Sequence, residues 1–229
     1  WALIILLLLI VVSVGLVRIF VTPKRVAQLT NHFLAPHYHI ELADDWQWET
    51  TGLMLPELKV KTDQCTLVNL NNTQVTWWNT HSLDVEKASL NYDCLTHLPS
   101  DNAEKTPPNL TALWAALPIS HVNVKHFQLT NTEELKRAAL QPFLSADWAL
   151  DARYNGNQLA LEAQANNDGL ELHHQSTVTP RDGIFQWTGN TDIKQAGDKN
   201  YDLQFTANFE PDLSQLPQQG NVLLNWNNP

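Results

Sequence analysis

The clearest signal in the chain is an alternation of period two across its second half. Tyr201, Leu203, Phe205, Ala207 and Phe209 alternate with Asp202, Gln204, Thr206 and Asn208. That is the pattern of a strand with one wet face and one apolar face. The same period runs through Ala146, Trp148, Leu150, Ala152 and Tyr154, and through Leu159, Leu161, Ala163 and Ala165. It returns in Phe185, Trp187 and Ile193, and again in Val222, Leu224 and Trp226. Turn residues separate the runs: Asn155-Gly156, Asp168-Gly169, Asp182-Gly183 and Ala196-Gly197-Asp198. Asn-Gly between alternating runs is a hairpin signal, so the spacing predicts long strands in an antiparallel meander. An apolar sheet face needs a cover, and no helical pattern in this half supplies one. Three outcomes stay open: the sheet curls over itself, a further C-terminal part covers it, or the face binds something apolar.

The first half is less regular. Leu58-Lys59-Val60-Lys61 and Thr73-Gln74-Val75-Thr76-Trp77 alternate, and Asn71-Asn72 is expected to turn the chain between them. In Leu83 and Val85, then Ala88, Leu90 and Tyr92, the apolar parity shifts by one, as a β-bulge would make it do. Residues 99–109 read as a polar, proline-containing loop. Leu110, Leu113, Trp114 and Leu117 then predict a short helix near 110–117, closed by Pro118. Upstream, Thr22-Pro23 reads as an N-cap followed by a helix-starting proline, and Val26, Leu29 and Phe33 recur at helical spacing. Residues 22–36 thus form an interfacial amphipathic segment, ended by Pro36.

Residues Trp1 to Val17 carry no charge, and the apolar stretch runs on through Arg18 to Val21. Its length matches the ~20 residues that cross a bilayer core, so 1–21 is expected to be a transmembrane anchor. It is longer than the apolar region of a cleaved signal peptide, and no Ala-x-Ala site follows. By the positive-inside rule Lys24 and Arg25 mildly favour a cytoplasmic strand-rich portion, and the flank on the other side of the span is missing, so the orientation has to come from elsewhere. The chain starts without Met and stops in an unfinished strand pattern, so it is expected to be the N-terminal part of a longer protein, with 37–229 forming the strand-rich portion. The fold class is therefore all-β with an N-terminal transmembrane helix, built as a long curled antiparallel sheet with short amphipathic helices.

Chemistry changes this picture little. A net charge of -10 disfavours nucleic acid, whose binding depends on cations displacing counterions. Phosphate-loop, nucleophile-elbow and zinc-protease motifs are absent, so neither an enzyme nor a cofactor is expected. Among nine histidines, His37 and His39 give two ligands at most, while the adjacent His173 and His174 point to opposite faces of a strand; no metal site is expected. Asp44-Asp45 and Glu133-Glu134 read as solvated charges. The nine tryptophans suit core packing, a lining for lipid tails, or a rim at a membrane interface. Cys65 and Cys94 are either bridged, as suits an exported domain, or buried free thiols.

An ordered set of short motifs carries a family resemblance. After the span come Leu34-Ala35-Pro36, Gly52-Leu53-Met54-Leu55-Pro56-Glu57-Leu58, Asp63-Gln64-Cys65-Thr66-Leu67, Asp93-Cys94-Leu95 with Leu98-Pro99, and Leu113-Trp114 with Leu117-Pro118. Over about residues 1–130 this order resembles the N-terminal region of the YdbH branch of the bacterial AsmA-like family, which also includes TamB and YhdP. The resemblance implies single-pass anchoring in the inner membrane of Gram-negative bacteria with the bulk in the periplasm. It also implies a β-taco groove conducting phospholipids towards the outer membrane, and a small outer-membrane lipoprotein of the YnbE type at the far end. Candidate groove-lining residues are Trp148, Leu150, Leu159, Leu161, Phe185, Trp187, Leu203, Phe205, Leu224 and Trp226. The alternative is an envelope assembly protein whose closed β core binds protein partners.

Overall fold

The computed structural model describes residues 22–33, 37–77, 81–97, 114, 119–132, 141–167, 170–181, 184–195, 199–209 and 219–227. The expected anchor, 1–21, lies outside these, as do Trp78, the loop 99–109 and Glu133-Glu134. Of the expected helix near 110–117, Trp114 alone is described, and it is helical. Among the described residues no helix is long and apolar enough to cross a membrane.

Helix α1 (Pro23–Phe33) starts where the sequence places it. Thr22 accepts from the Val26 N–H at 3.0 Å through its carbonyl, and Pro23 at the first helical position loses no hydrogen bond. Strand β1 (Tyr38–Leu42) returns alongside. The Asn31 side chain takes both free backbone groups of Ile40, accepting from its N–H at 2.5 Å and donating to its carbonyl at 3.1 Å. The outer edge of β1 is thus closed by a side-chain amide instead of another strand, which removes a template for edge pairing.

The remaining strands are β2 (Gln47–Trp48), β3 (Gly52–Thr62), β4 (Thr66–Thr76), β5 (Ser82–Asn91), β6 (His121–Thr130), β7 (Asp147–Tyr154), β8 (Leu159–Asn167), β9 (Leu170–Arg181), β10 (Ile184–Gln195), β11 (Lys199–Phe209) and β12 (Gln219–Asn227). Two short helices, α2 (Tyr92–Thr96) and α3 (Gln141–Leu144), interrupt them. All twelve strands form one open sheet, in the order β1-β3-β4-β5-β6-β7-β8-β9-β10-β11-β12, with β2 also on β3. Among the described residues the strands make their main contacts with their neighbours in that order.

From β6 onward the sheet is the expected meander. At the β7–β8 hairpin, Asn155 accepts through Oδ1 from the N–H groups of Asn157 and Gln158, and Gly156 takes φ +88°, a conformation natural to glycine. Two expectations are corrected. First, β5 and β6 pair in parallel, Ser82 opposite His121 and Asn91 opposite Thr130. The long connection from α2 to Ser120 carries the chain back to the end where β5 began, as parallel pairing requires.

Second, Asn71-Asn72 makes no turn but lies inside β4. Asn72 adopts φ 50°, and its side chain donates to Glu86 Oε2 at 2.6 Å. It belongs to a crease. Leu55, Thr73, Val85, Val124 and Leu150 are successive partners across the sheet, and so are Leu58, Leu70, Ala88, Phe127 and Trp148. Between these two rows β3, β4, β5 and β6 each advance three residues, while β7 advances two. The unpaired positions are Pro56, Asn72, Glu86 and Lys125; at Pro56 no ladder donor is lost. Val85, Ala88 and Val124 still bury together against Leu70, Phe127 and Leu150, so the extra residue restores the apolar parity on the far side of the crease.

Cys65, in the β3–β4 turn, and Cys94, buried in α2, form a disulfide with Cα atoms 6.0 Å apart. Closing this loop is expected to stabilise the fold by about 3–4 kcal/mol in the chain-entropy model. Cys65→Ala with Cys94→Ala should therefore lower the urea midpoint of the oxidised protein, and reductant should lower the wild type to match.

Candidate functional site

Residues directly opposite one another in paired strands share a face, so the register assembles the candidate surface row by row. One row is Trp148, Ala165, Leu172, Ile193, Tyr201 and Trp226; the next is Leu150, Ala163, His174, Thr191, Leu203 and Leu224. Then come Ala152, Leu161, Ser176, Gly189, Phe205 and Val222, followed by Tyr154, Leu159, Val178, Trp187, Ala207 and Gly220. Phe185 continues the face beside Pro180 and Phe209. All the residues named as lining candidates from the sequence thus share one side. Trp148, Leu150, Leu159, Leu161, Trp187, Leu203 and Phe205 are half-buried there, and Phe185 is buried. Of Leu224 and Trp226 the backbone register alone is described.

The face is lapped at its two rims. Trp114 packs on Tyr154 and Phe185, ring centroids 5.2 Å away in both cases, and donates from Nε1 to the Gly156 carbonyl at 3.0 Å. Tyr154 returns a hydrogen bond to the Trp114 carbonyl at 2.7 Å. At the opposite rim the Trp148 indole donates to the Phe143 carbonyl of α3 at 3.0 Å. Among the described residues no second sheet lies over the middle rows.

Sequence reasoning missed a polar knot within those rows. His174 is a half-buried member of the apolar face, not a surface residue. Its Nδ1 meets Thr191 Oγ1 at 2.8 Å and its Nε2 meets Ser176 Oγ at 2.9 Å. The ring stacks on Phe205 with centroids 5.9 Å apart and planes 5° from parallel. Burial, with a smaller contribution from the neighbouring His173 charge, pushes the His174 pKa below its ordinary value. The imidazole is thereby biased towards its neutral form, as suits an apolar surface. Gly189 makes this possible: a Cβ there would stand 2.7 Å from Phe205 ring atoms and 2.8 Å from Ser176 Cβ. The register alone relates these residues; no local motif announces them.

The other face is wet. His121 pairs with Asp151 at 2.7 Å, His126 with Asp147 at 2.6 Å and His173 with Glu162 at 3.0 Å. The hydrogen bond from His173 holds the Glu162 pKa below the usual glutamate value. The open clefts of this face, of about 1130 and 840 Å³, are lined mainly by such side chains, among them His126, His173 and Lys194 in one and Glu162, Gln175 and Gln204 in the other. Their lining also includes Ala149, Ile193 and Tyr201 in the first and Leu161, Phe205 and Val222 in the second, so it is mixed in polarity. His37 and His39 both reach Asp63, at 2.9 and 3.2 Å, and the His37 bond leads in lowering the Asp63 pKa. Among the described residues no three His, Cys, Asp or Glu side chains gather as metal ligands.

A family model described as "YdbH-like: Intermembrane phospholipid transport protein YdbH" matches residues 4–228. The chain belongs to the YdbH-like family. The match runs well past the stretch whose motifs carry the resemblance. The chain is also similar to the "Probable phospholipid transport protein YdbH" of Escherichia coli (strain K12), 24% identical over 173 residues. That alignment covers 75% of this chain and 20% of the relative, so the chain spans about a fifth of the protein it matches. No solved structure matches. YdbH-like proteins are transporters and not enzymes.

Two outcomes follow for this YdbH-like face. Gly189→Val should cost about 1–3 kcal/mol, because the Phe205 ring and Ser176 must move to admit the side chain; urea unfolding measures it. Acidification should destabilise in two stages, His174 first and the carboxylates Glu162 and Asp63 second, since all three have lowered folded pKa values and the unfolded chain binds the extra protons. The His174 contribution is complete above 6.5 and is lost as pH falls from there. The Glu162 contribution is complete above 4.5 and is lost below it. His174→Gln should flatten the first stage of a urea midpoint–pH curve and leave the second.

Proposed function

We propose that this chain is the membrane-anchored start of a path that conducts phospholipids between the inner and outer membranes, with the apolar face of the sheet as the track. One observation carries the reading: a mainly apolar, half-buried surface that runs across the strands, interrupted in its middle rows by His174, Ser176 and Thr191 and with no second sheet over it among the described residues. Each CH₂ of an acyl chain kept out of water is worth about 0.8 kcal/mol. The polar groups of the middle rows, His174, Ser176 and Thr191, are bonded to one another, so that gain persists from row to row and the lipid moves without a deep trap. Headgroups stay in water along the rims.

Residues 1–21 hold the chain in the inner membrane, and the disulfide suits a periplasmic, oxidising location. By the family resemblance, the far end of the longer protein meets an outer-membrane lipoprotein of the YnbE type. The second reading, an assembly protein with a closed core, draws on the buried Val85, Ala88 and Val124 cluster, and native lipid co-purification separates the two. The direct test is a photo-crosslinking side chain placed in the full-length protein in cells. In place of Phe205 it should capture phospholipid; in place of Gln204, exposed on the other face, it should not. Equal capture at the two positions would overturn the conduit.

A further inference from the structure

The strongest unexplained surface is a cluster of three tryptophans at one corner of the sheet. Trp48, on β2, lies opposite Leu53 at the start of β3. Its ring sits 5.9 Å from Trp46 and 6.0 Å from Trp77, edge-on to both. Trp77 follows the last residue of β4, donates its N–H to the Thr51 carbonyl at 3.2 Å, and is 42% exposed. A core-packing role does not account for a large apolar ring left in water beside two others.

The position of this corner is set by α1 and β1. The eleven-residue helix is about 16 Å long at 1.5 Å per residue. The five-residue strand that returns beside it covers about 17 Å at 3.4 Å per residue. The chain therefore comes back to the level at which the helix began, and Lys24 in its first turn meets Asp44, just after β1, at 3.6 Å. Two residues on from Asp44 stands Trp46. Thr22, which follows the apolar run 1–21 in sequence, stands at this end of α1, so the tryptophans and Thr22 lie towards the same end of the sheet. Trp48 and Leu53 also share the face that carries Leu55, Val75 and Leu83.

We infer that Trp46, Trp48 and Trp77 seat this corner in the headgroup layer of the bilayer that holds residues 1–21, where an indole can bury its ring and keep its N–H wet. The inference rests on the anchor and conduit proposed above and adds the contact at which lipid passes from bilayer to track. Lys24 and Arg25 flank the corner on α1, and Asp44, Asp45 and Glu49 flank it on the β1–β2 side, with Glu49 bonded to Gln74 Nε2 at 2.6 Å. That mixture of signs matches a zwitterionic headgroup layer better than a strongly anionic one.

The test uses the full-length protein reconstituted in phosphatidylethanolamine-rich bilayers, with a photo-crosslinking side chain at position 77. The control is the same side chain at Leu95, an exposed apolar residue of α2, beyond the opposite end of β5. Phospholipid adducts at 77 and none at 95 are the expected result. Adducts at both positions, or at neither, overturn the inference. Position 205 keeps the two proposals apart. Capture at 205 without capture at 77 removes the docking corner and leaves the track. Capture at 77 without capture at 205 leaves the corner and removes the track. Trp77 and Leu95 are exposed and Phe205 is half-buried, and thermal unfolding with the disulfide intact confirms that each of the three variants is folded.

Discussion

With no second sheet above it among the described residues, this sheet draws its cohesion from strands side by side, and every strand must then turn its apolar residues the same way. The whole structure follows from that parity. Leu161 of β8, Phe205 of β11 and Val222 of β12 stand in one row because each pairing is in register. A slip of one residue in any strand would send its apolar set into water and its polar set into the face. Where parity is satisfied but bulk is not, glycine makes room: Gly189 lets the Phe205 ring lie across the strand instead of against a side chain. The two edges of such a sheet are its exposed backbone. Asn31 occupies the outer backbone groups of Ile40 at one of them, whereas β12 presents exposed Val222 and Leu223 at the other.

The two faces solve different electrostatic problems. On the wet side, carboxylates from β7 and β8 find histidines on β6 and β9, so a chain of net charge -10 spreads its acids among partial neutralisers. On the apolar side a single imidazole is accommodated by spending both its nitrogens on Ser176 and Thr191. A neutral, doubly bonded ring presents mostly carbon to whatever lies above it.

Period-two patterning was sufficient to place β7, β8, β10, β11 and β12 and to sort their side chains between faces, because alternation and strand pairing are the same physical fact; β9 was marked only by the turn residues on either side of it. The parity shift at Val85 and Ala88 was equally visible, as was the cap at Thr22-Pro23. What escaped notice depended on partners remote in the chain. Parallel pairing of β5 with β6 leaves no local mark beyond the long stretch between them. Asn72 resembles a turn residue because it takes the left-handed conformation a turn would use, but neighbouring strands on both sides hold it in line. His174 and Gly189 look unremarkable until the register sets one beside Thr191 and the other beneath Phe205. Helix α3 is four residues long, too short to establish a helical period.

The crease across β3 to β6 behaves like a pleat pressed through several sheets of cloth at once. Each of the four strands carries its additional residue at the same level, so none is an isolated irregularity that could be edited away. Removing Asn72 alone would leave β4 with fewer residues at the fold line than β3 and β5, and half its length would present the wrong side. Length changes here are consequently tolerable only in concert. The line Pro56, Asn72, Glu86 and Lys125 ought to drift through related sequences as a matched set, gained or lost together, while the straight strands after β6 remain free to vary their turns one at a time.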